Sequence, residues 1–312
     1  MKKYTLLAVG ELLVDILGTH LSTSLLDTTD FQRFQGGSPA NLASNMARLG
    51  GSVALISCIG DDNFGVFVKN EIAKTGLDTS HIVTDPLLPT SIVVVSRTQS
   101  TPDFIAYRSA DKMLYPAHIP DELLKESAIF HTTSWPLSME PAQSTVLDAA
   151  RRATAFGTKL SVDFNYTPSI WPDRENAWKV ISEYCSHGAF IKLSEDDAQR
   201  LYDRMDVGYN DIITDFHEKG AELVCLTLGA DGCIVSGKKG TERVVLAGRK
   251  IEVVDATGAG DAFWSGFLTA LLDGKDLQTC ANAGANIAEK KLTTIGALPA
   301  GLGKAELYEI KG

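Results

Sequence analysis

The sequence is poor in the features that staple, metallate or anchor a chain. Its 312 residues include only five cysteines: Cys58, Cys185, Cys225, Cys233 and Cys280. An odd number with no Cys-x-x-Cys spacing argues against a disulfide framework and a zinc ribbon. It suits small buried side chains in a reducing, cytoplasmic compartment. The six histidines are scattered without i, i+4 pairing, and His217-Glu218 has no second histidine, so no histidine metal site is expected. No run of about 18 apolar residues exists, so no membrane span is expected. Leu6–Val9 is too short for the core of a leader, and Glu11 and Asp15 follow it closely. Basic charge is also scarce. Lys and Arg total 29 against 39 Asp and Glu, a net charge of −10, and the longest basic clusters are pairs such as Lys238-Lys239 and Lys290-Lys291. Such a chain repels a polyphosphate backbone, so nucleic acid is not an expected partner. Gly237, Gly274 and Gly303 each precede a lysine but never a Lys-Ser or Lys-Thr, so there is no Walker-type phosphate loop. G-x-G-x-x-G, H-E-x-x-H and G-x-S-x-G are absent too. The sequon Asn165-Tyr166-Thr167 is followed by Pro168 and reads as accidental.

What is present is a globular composition, 44% hydrophobic and 22% charged. Single cores stop growing near about 250–300 residues, so one large domain with an appendage and two domains both suit this length. Apolar runs at Tyr4–Val9, Val53–Ile59, Ile129–His131, Leu160–Phe164, Ala189–Leu193 and Leu223–Leu228 read as buried strands. Helical periodicity over 42–49, 64–74, 141–156, the 263–272 stretch and 277–291 alternates with them, closed by Gly50-Gly51, Gly76, Gly157 and Gly274. The alternation predicts an α/β fold, a mainly parallel sheet with helices on both faces. Two segments break it. Leu12–Phe34 has no clear helix, and Thr90–Tyr107 reads as strands Ile92–Ser96 and Phe104–Tyr107 around a turn at Gln99–Asp103. Together they suit a small β-flap, but on these segments alone two surface loops are the favoured reading.

The strongest chemical signal is Val254-Asp255-Ala256-Thr257-Gly258-Ala259-Gly260-Asp261-Ala262-Phe263. A strand expected at Ile251–Val254 runs into a turn of small residues that opens a long helix. Backbone N–H groups converging there make an anion site without any lysine. Asp261, in the first turn, is positioned to take the proton of an attacking hydroxyl. Read alone, the same residues also suit a helix cap and a chain reversal. A second signal, Phe34-Gln35-Gly36-Gly37-Ser38-Pro39-Ala40-Asn41, allows close backbone approach to a ligand. It sets Asn41, which can donate and accept, at a helix start, as a polyol site needs; taken alone, the stretch reads better as a simple turn with a cap.

The two motifs, in this order, resemble the signatures of the ribokinase-like sugar kinases, the phosphofructokinase-B family. Val9–Asp15, Gly60-Asp61-Asp62-Asn63-Phe64-Gly65, Thr227-Leu228-Gly229-Ala230-Asp231-Gly232 and Ala281-Asn282-Ala283 are similar as well, so the resemblance spans nearly the whole chain. It implies a three-layer αβα core with a mainly parallel sheet, forming one kinase domain over residues 1–312, and a β-sheet lid from about residues 12–34 and 88–110. It implies Asp261 as catalytic base with an anion hole at Gly258, Ala259 and Gly260, and a sugar site lined by Asp15, Gly36, Gly37, Asn41, Tyr107, Arg108 and Asn165. It implies ATP contacts at Ser194, Thr227, Gly229, Gly232, Gly258, Gly260 and Asn282. ATP with Mg2+ is the expected donor, and K+ is a candidate monovalent cation at Asp255, Thr257 and the Gly296-Ala297 loop. A homodimer through the lid is the expected assembly.

Two stretches depart from the family pattern. Asp163-Phe164-Asn165-Tyr166-Thr167, with Trp171, is similar to the D-x-N-x-R segment of fructokinases and 2-keto-3-deoxygluconate kinases, but Thr167 replaces the arginine. Ser194-Glu195-Asp196-Asp197 stands where N-x-x-E is usual, with Glu195 or Asp196 as candidate substitutes in a magnesium–water network. Tyr107-Arg108-Ser109-Ala110-Asp111 resembles a Y-R-x-x-A region, which offers Arg108 to sugar hydroxyls or a carboxylate; a surface arginine is the plain alternative. The leading expectation is ATP-dependent phosphorylation of a free sugar at a terminal primary hydroxyl, as in a fructokinase. A 2-keto-3-deoxygluconate kinase is the alternative, and a non-catalytic sugar- or nucleotide-binding regulator is the reading from a different class.

Overall fold

The computed structural model describes residues 2–22, 24–98, 103–299 and 301–309. Among them, in chain order, the strands are β1 Tyr4–Val9, β2 Leu13–Leu21, β3 Phe31–Gly36, β4 Val53–Gly60, β5 Ile82–Asp85, β6 Ile92–Arg97 and β7 Phe104–Tyr107. They continue with β8 Ser127–Thr133, β9 Lys159–Asp163, β10 Phe190–Ser194, β11 Leu223–Thr227, β12 Gly232–Gly237 and β13 Glu242–Ala247. Nine form one sheet in the order β13-β12-β11-β10-β9-β8-β1-β4-β5. From β11 to β5 every pairing is parallel, and β12 and β13 extend that edge as an antiparallel hairpin.

Strand alternation explains the layers. In β1, Leu6 and Ala8 point to one side, where Leu42, Ala43 and Met46 of helix Ser38–Arg48 meet Phe267 and Leu268 of helix Ala259–Leu272. Leu7 and Val9 point to the other, against Val146, Ala149 and Ala150 of helix Ala142–Ala155, with helices Arg174–Ser186 and Tyr209–Glu218 beyond. This is the expected three-layer αβα core. Most elements expected from periodicity lie within one or two residues of their observed bounds.

The two irregular segments pair with each other in a second sheet, β3-β2-β6-β7. Its inner face holds Leu13, Leu17, Val93 and Val95, packed with Phe34, Phe104 and Trp135. The turn expected at Gln99–Asp103 lies outside the described residues except for Asp103. Ile251–Val254 is not a strand. The Val254 and Asp255 N–H groups both donate to the Leu292 carbonyl at 2.8 and 3.3 Å, so this stretch is tied to a helix end and joins no sheet ladder. Among the described residues no helix is long and apolar enough to cross a membrane.

Candidate active site

The carboxyl ends of the parallel strands collect the singled-out residues, as expected for an open α/β sheet. Helix Ala259–Leu272 starts there. Its cap, Gly258, has φ 75°, a left-handed conformation that glycine adopts without a Cβ penalty. Asp261 is buried in the first turn. Ser38 Oγ donates to its Oδ1 at 2.6 Å and Asn41 Nδ2 to its Oδ2 at 3.0 Å, so the two sequence motifs meet at one carboxylate. Gln35 Nε2 donates to Asn41 Oδ1 at 3.2 Å, which occupies the other end of that amide. Burial raises the Asp261 carboxyl to about 6 and the Asp163 charge adds to this, while the Ser38 and Asn41 bonds and the Lys192 charge pull it down.

Two clefts share the 255–260 turn, one lined by its Asp255, Thr257 and Gly258 and the other by its Ala256, Ala259 and Gly260. The first is lined by Asp15, Asn41, Arg48, Asp255, Gly258 and Lys291 among others. Burial raises Asp15 to about 7, helped by the charges of Asp261 and Asp255. The double glycine serves close approach, and the approach is by the chain itself. A Cβ on Gly36 would lie 2.3 Å from an Asp15 carboxylate oxygen, and one on Gly37, where φ is 102°, 2.3 Å from the Glu11 carbonyl. The second cleft is lined by Lys192, Ser194, Asp197, Thr227, Gly229, Gly232, Gly248 and Gly260, with Leu246, Ile251, Val253 and Leu292 forming its apolar side. Gly232 and Gly248 let two segments close this wall, since Cβ atoms there would lie 2.0 and 1.7 Å from the carbonyls of Leu246 and Ala230.

The structure amends several expectations. The anion site has a lysine. A Cβ on Gly260 would sit 2.8 Å from Lys192 Nζ, so glycine there admits the ammonium to the helix N-terminus. Lys192 is buried and paired with Asp163 at 2.7 Å. Burial alone would lower its pKa, but the charges of Asp163, Asp197 and Asp261 outweigh that and raise it. The Ala259 N–H, expected as an anion-hole donor, is engaged with the Ala256 carbonyl at 3.2 Å. Glu195 and Asp196 do not line the second cleft. Tyr209 Oη donates to Glu195, and Asp196 pairs with Arg200 at 3.6 Å. Ser194 and Asp197 are the pair that faces the cleft, bonded reciprocally as the cap of helix Glu195–Tyr202. Asn282 lies off the lining; its Nδ2 donates to the Gln278 carbonyl, while Ala285, Ala288 and Glu289 of the same helix reach the cleft.

Arg108 is not a surface arginine, nor is it among the cleft residues. Its Nε and Nη2 donate to Asp111 Oδ2 at 3.0 and 2.8 Å, its Nη1 donates to Ser138, and its guanidinium lies over the Trp135 ring. Tyr107 is exposed. Asn165 Oδ1 accepts from Ser134 Oγ at 2.6 Å. Asp255 is buried, accepts the Thr257 N–H at 3.0 Å, and receives Lys291 Nζ at 3.3 Å.

A family model described as pfkB family carbohydrate kinase matches residues 3–300. The chain belongs to that family. An ATP-dependent 6-phosphofructokinase of Thermoanaerobacterium thermosaccharolyticum is 36% identical over 95% of this chain and 90% of its own. The structure of Halothermothrix orenii fructokinase is 33% identical, with TM-score 0.78, covering 93% of this chain and 98% of that one. A double-mutant fructokinase of Vibrio cholerae O395, in a fructose-, ADP- and potassium-bound form, is 25% identical with TM-score 0.84 over 98% of each chain.

Sequence reasoning about this family member missed four side chains. Lys192 and Lys291 are buried cations, Ser38 bonds the central carboxylate, and buried Glu11 accepts the Ser38 N–H at 3.1 Å. A lone lysine inside the apolar strand Phe190-Ile191-Lys192-Leu193 was the available signal, because a buried ammonium needs a buried anion.

Proposed function

We propose that this ATP-dependent sugar kinase phosphorylates a primary hydroxyl of a free ketohexose such as fructose. The observation that carries this reading is the buried Asp261 carboxyl, raised to about 6, in the first turn of a helix, bonded to Asn41 of the first cleft and next in the chain to Gly260 of the second. A carboxyl with that pKa is ionised at neutral pH and is basic enough to matter as general base. Ser38 and Asn41 hold both of its oxygens, so its orientation is set before the acceptor arrives. Asp261 takes the hydroxyl proton as the oxygen attacks phosphorus. The N–H groups at Gly258 and Gly260 and the Lys192 ammonium offset charge on the transferred phosphoryl oxygens. ATP with its magnesium supplies the phosphoryl group and the metal charge when bound. The glycine-built wall at Gly229, Gly232 and Gly248 and the apolar side at Leu246, Ile251 and Leu292 suit the phosphate and base ends of that nucleotide. The small sheet acts as the lid over the acceptor, in the cytoplasm, within one kinase domain.

The first cleft supports a neutral sugar over a sugar acid, because its two cations, Arg48 and Lys291, are matched by two carboxylates, Asp15 and Asp255, and Lys291 is already paired with Asp255. A sugar-phosphate acceptor is the second reading, favoured by the 36% identical 6-phosphofructokinase and by the Arg48 guanidinium in the cleft. An ADP-release assay over fructose, other free hexoses, fructose 6-phosphate and 2-keto-3-deoxygluconate separates these. We expect the highest kcat/KM with free fructose. A preference for fructose 6-phosphate would replace the first reading by the second, and turnover of none would favour a binding protein.

A further inference from the structure

The cation expected at Asp255 meets a side chain already there. Lys291, in the last turn of helix Leu277–Leu292, is buried, and its Nζ lies 3.3 Å from Asp255 Oδ2 and 3.2 Å from the Thr294 carbonyl. Its stem passes directly behind the anion site, since a Cβ on Gly258 would lie 3.6 Å from Lys291 Cε. Asp255 in turn shapes that site, accepting the Thr257 N–H at 3.0 Å within the turn that leads to Gly258. Two further bonds, from the Val254 and Asp255 N–H groups to the Leu292 carbonyl, lock the turn to the helix that carries Lys291.

An ammonium and a potassium ion carry the same charge and are close in size, and both take oxygen donors. The oxygens that hold Lys291 Nζ, one carboxylate and one main-chain carbonyl, are of the kind a monovalent ion would use. A free ion at Asp255 would have to displace a buried, hydrogen-bonded ammonium tethered beside it, so the residues present do not suit a bound potassium ion. We propose that the Lys291 ammonium is a built-in replacement for the monovalent cation, neutralising Asp255 and bracing the 255–258 turn, so that phosphoryl transfer here runs independently of potassium. Lys291 is a positioning residue in this account. The proposal rests on the sugar-kinase reading above and departs from its potassium expectation.

The test is a salt series at constant ionic strength, in potassium, sodium or tetramethylammonium chloride, reading both initial rate with MgATP and fructose and the thermal unfolding midpoint. Wild type should vary by less than about twofold in rate across the three salts, with matching midpoints in potassium and tetramethylammonium. Lys291→Met, which keeps the apolar stem, should lose about tenfold or more in tetramethylammonium and regain most of it, with a higher midpoint, in potassium. A merely structural lysine would show no such ion-specific rescue. Several-fold potassium stimulation of wild type overturns the proposal, even if Lys291→Met proves unfolded. Equal rates and midpoints of Lys291→Met in all three salts overturn it as well. If the chain turns over no sugar, the kinase reading fails on its own, and the midpoints decide the cation question by the same two criteria.

Discussion

In the proposed mechanism the chemistry concentrates in one titrating group, Asp261. It must be ionised to accept a proton, and burial raises it to about 6. Protonation therefore removes the base as pH falls, so kcat should decline on an acid limb with an apparent pKa near 6. Asp261→Asn should abolish that limb and lower kcat by about 10²–10⁴-fold, with nucleotide affinity by calorimetry nearly unchanged. Normal turnover in that variant would rule Asp261 out as base. The supporting side chains differ in legibility. Asp261, Gly258 and Gly260 stand in a contiguous motif. Ser38 reaches Asp261 from 223 positions away in the chain, a relation no local pattern contains. Lys192 was readable as an oddity in an apolar strand, but its partner Asp163 lies on the adjacent strand, and only strand pairing supplies that link.

Elements set the entry angles of these side chains. The turn after β1 is held by Glu11, whose carboxylate accepts the Ser38 N–H at the start of helix Ser38–Arg48 and, at 3.2 Å, the Thr133 hydroxyl at the end of β8. Burial raises this carboxyl to about 8, opposed by a backbone bond and by the Arg108 charge. A carboxyl raised in the folded state contributes stability that is complete below its unfolded pKa, near 4.5, and is lost as pH rises through about 8. Glu11→Gln keeps an acceptor oxygen and removes the titration. The unfolding free energy of the variant relative to wild type should therefore climb between pH 5 and pH 8, by on the order of 1 kcal/mol per pH unit. A flat difference would show that Glu11 is not held protonated. Sequence periodicity located most elements because strand and helix each repeat at a fixed interval. It failed at Ile251–Val254, where extended, half-exposed residues look strand-like but have a helix end as partner.

At the scale of the molecule, the small sheet has two unlike faces. In β7, Phe104 and Ala106 pack inward while Ile105 and Tyr107 are exposed, and Phe31 is exposed on β3 at the sheet's other edge. Apolar groups on the outer side of a small sheet suit burial against a second copy, which supports the homodimer expected through the lid. Ile105→Asp should then shift the sedimentation coefficient of the wild-type assembly toward that of a monomer; a wild type that already sediments as a monomer would dismiss the interface.

The sequence by itself determined the α/β alternation, the family, and the contiguous carboxylate and glycines proposed as the phosphoryl site, because each is written in contiguous residues or in a local period. Tertiary structure alone decided what surrounds them. It joined two irregular segments into one sheet, brought Ser38 and Asn41 onto Asp261, set Lys192 at the anion site and laid Lys291 on Asp255. Those outcomes depend on which strands pair and which helix ends meet, and burial then fixes the charges: a buried ion takes whatever opposite charge the packing supplies.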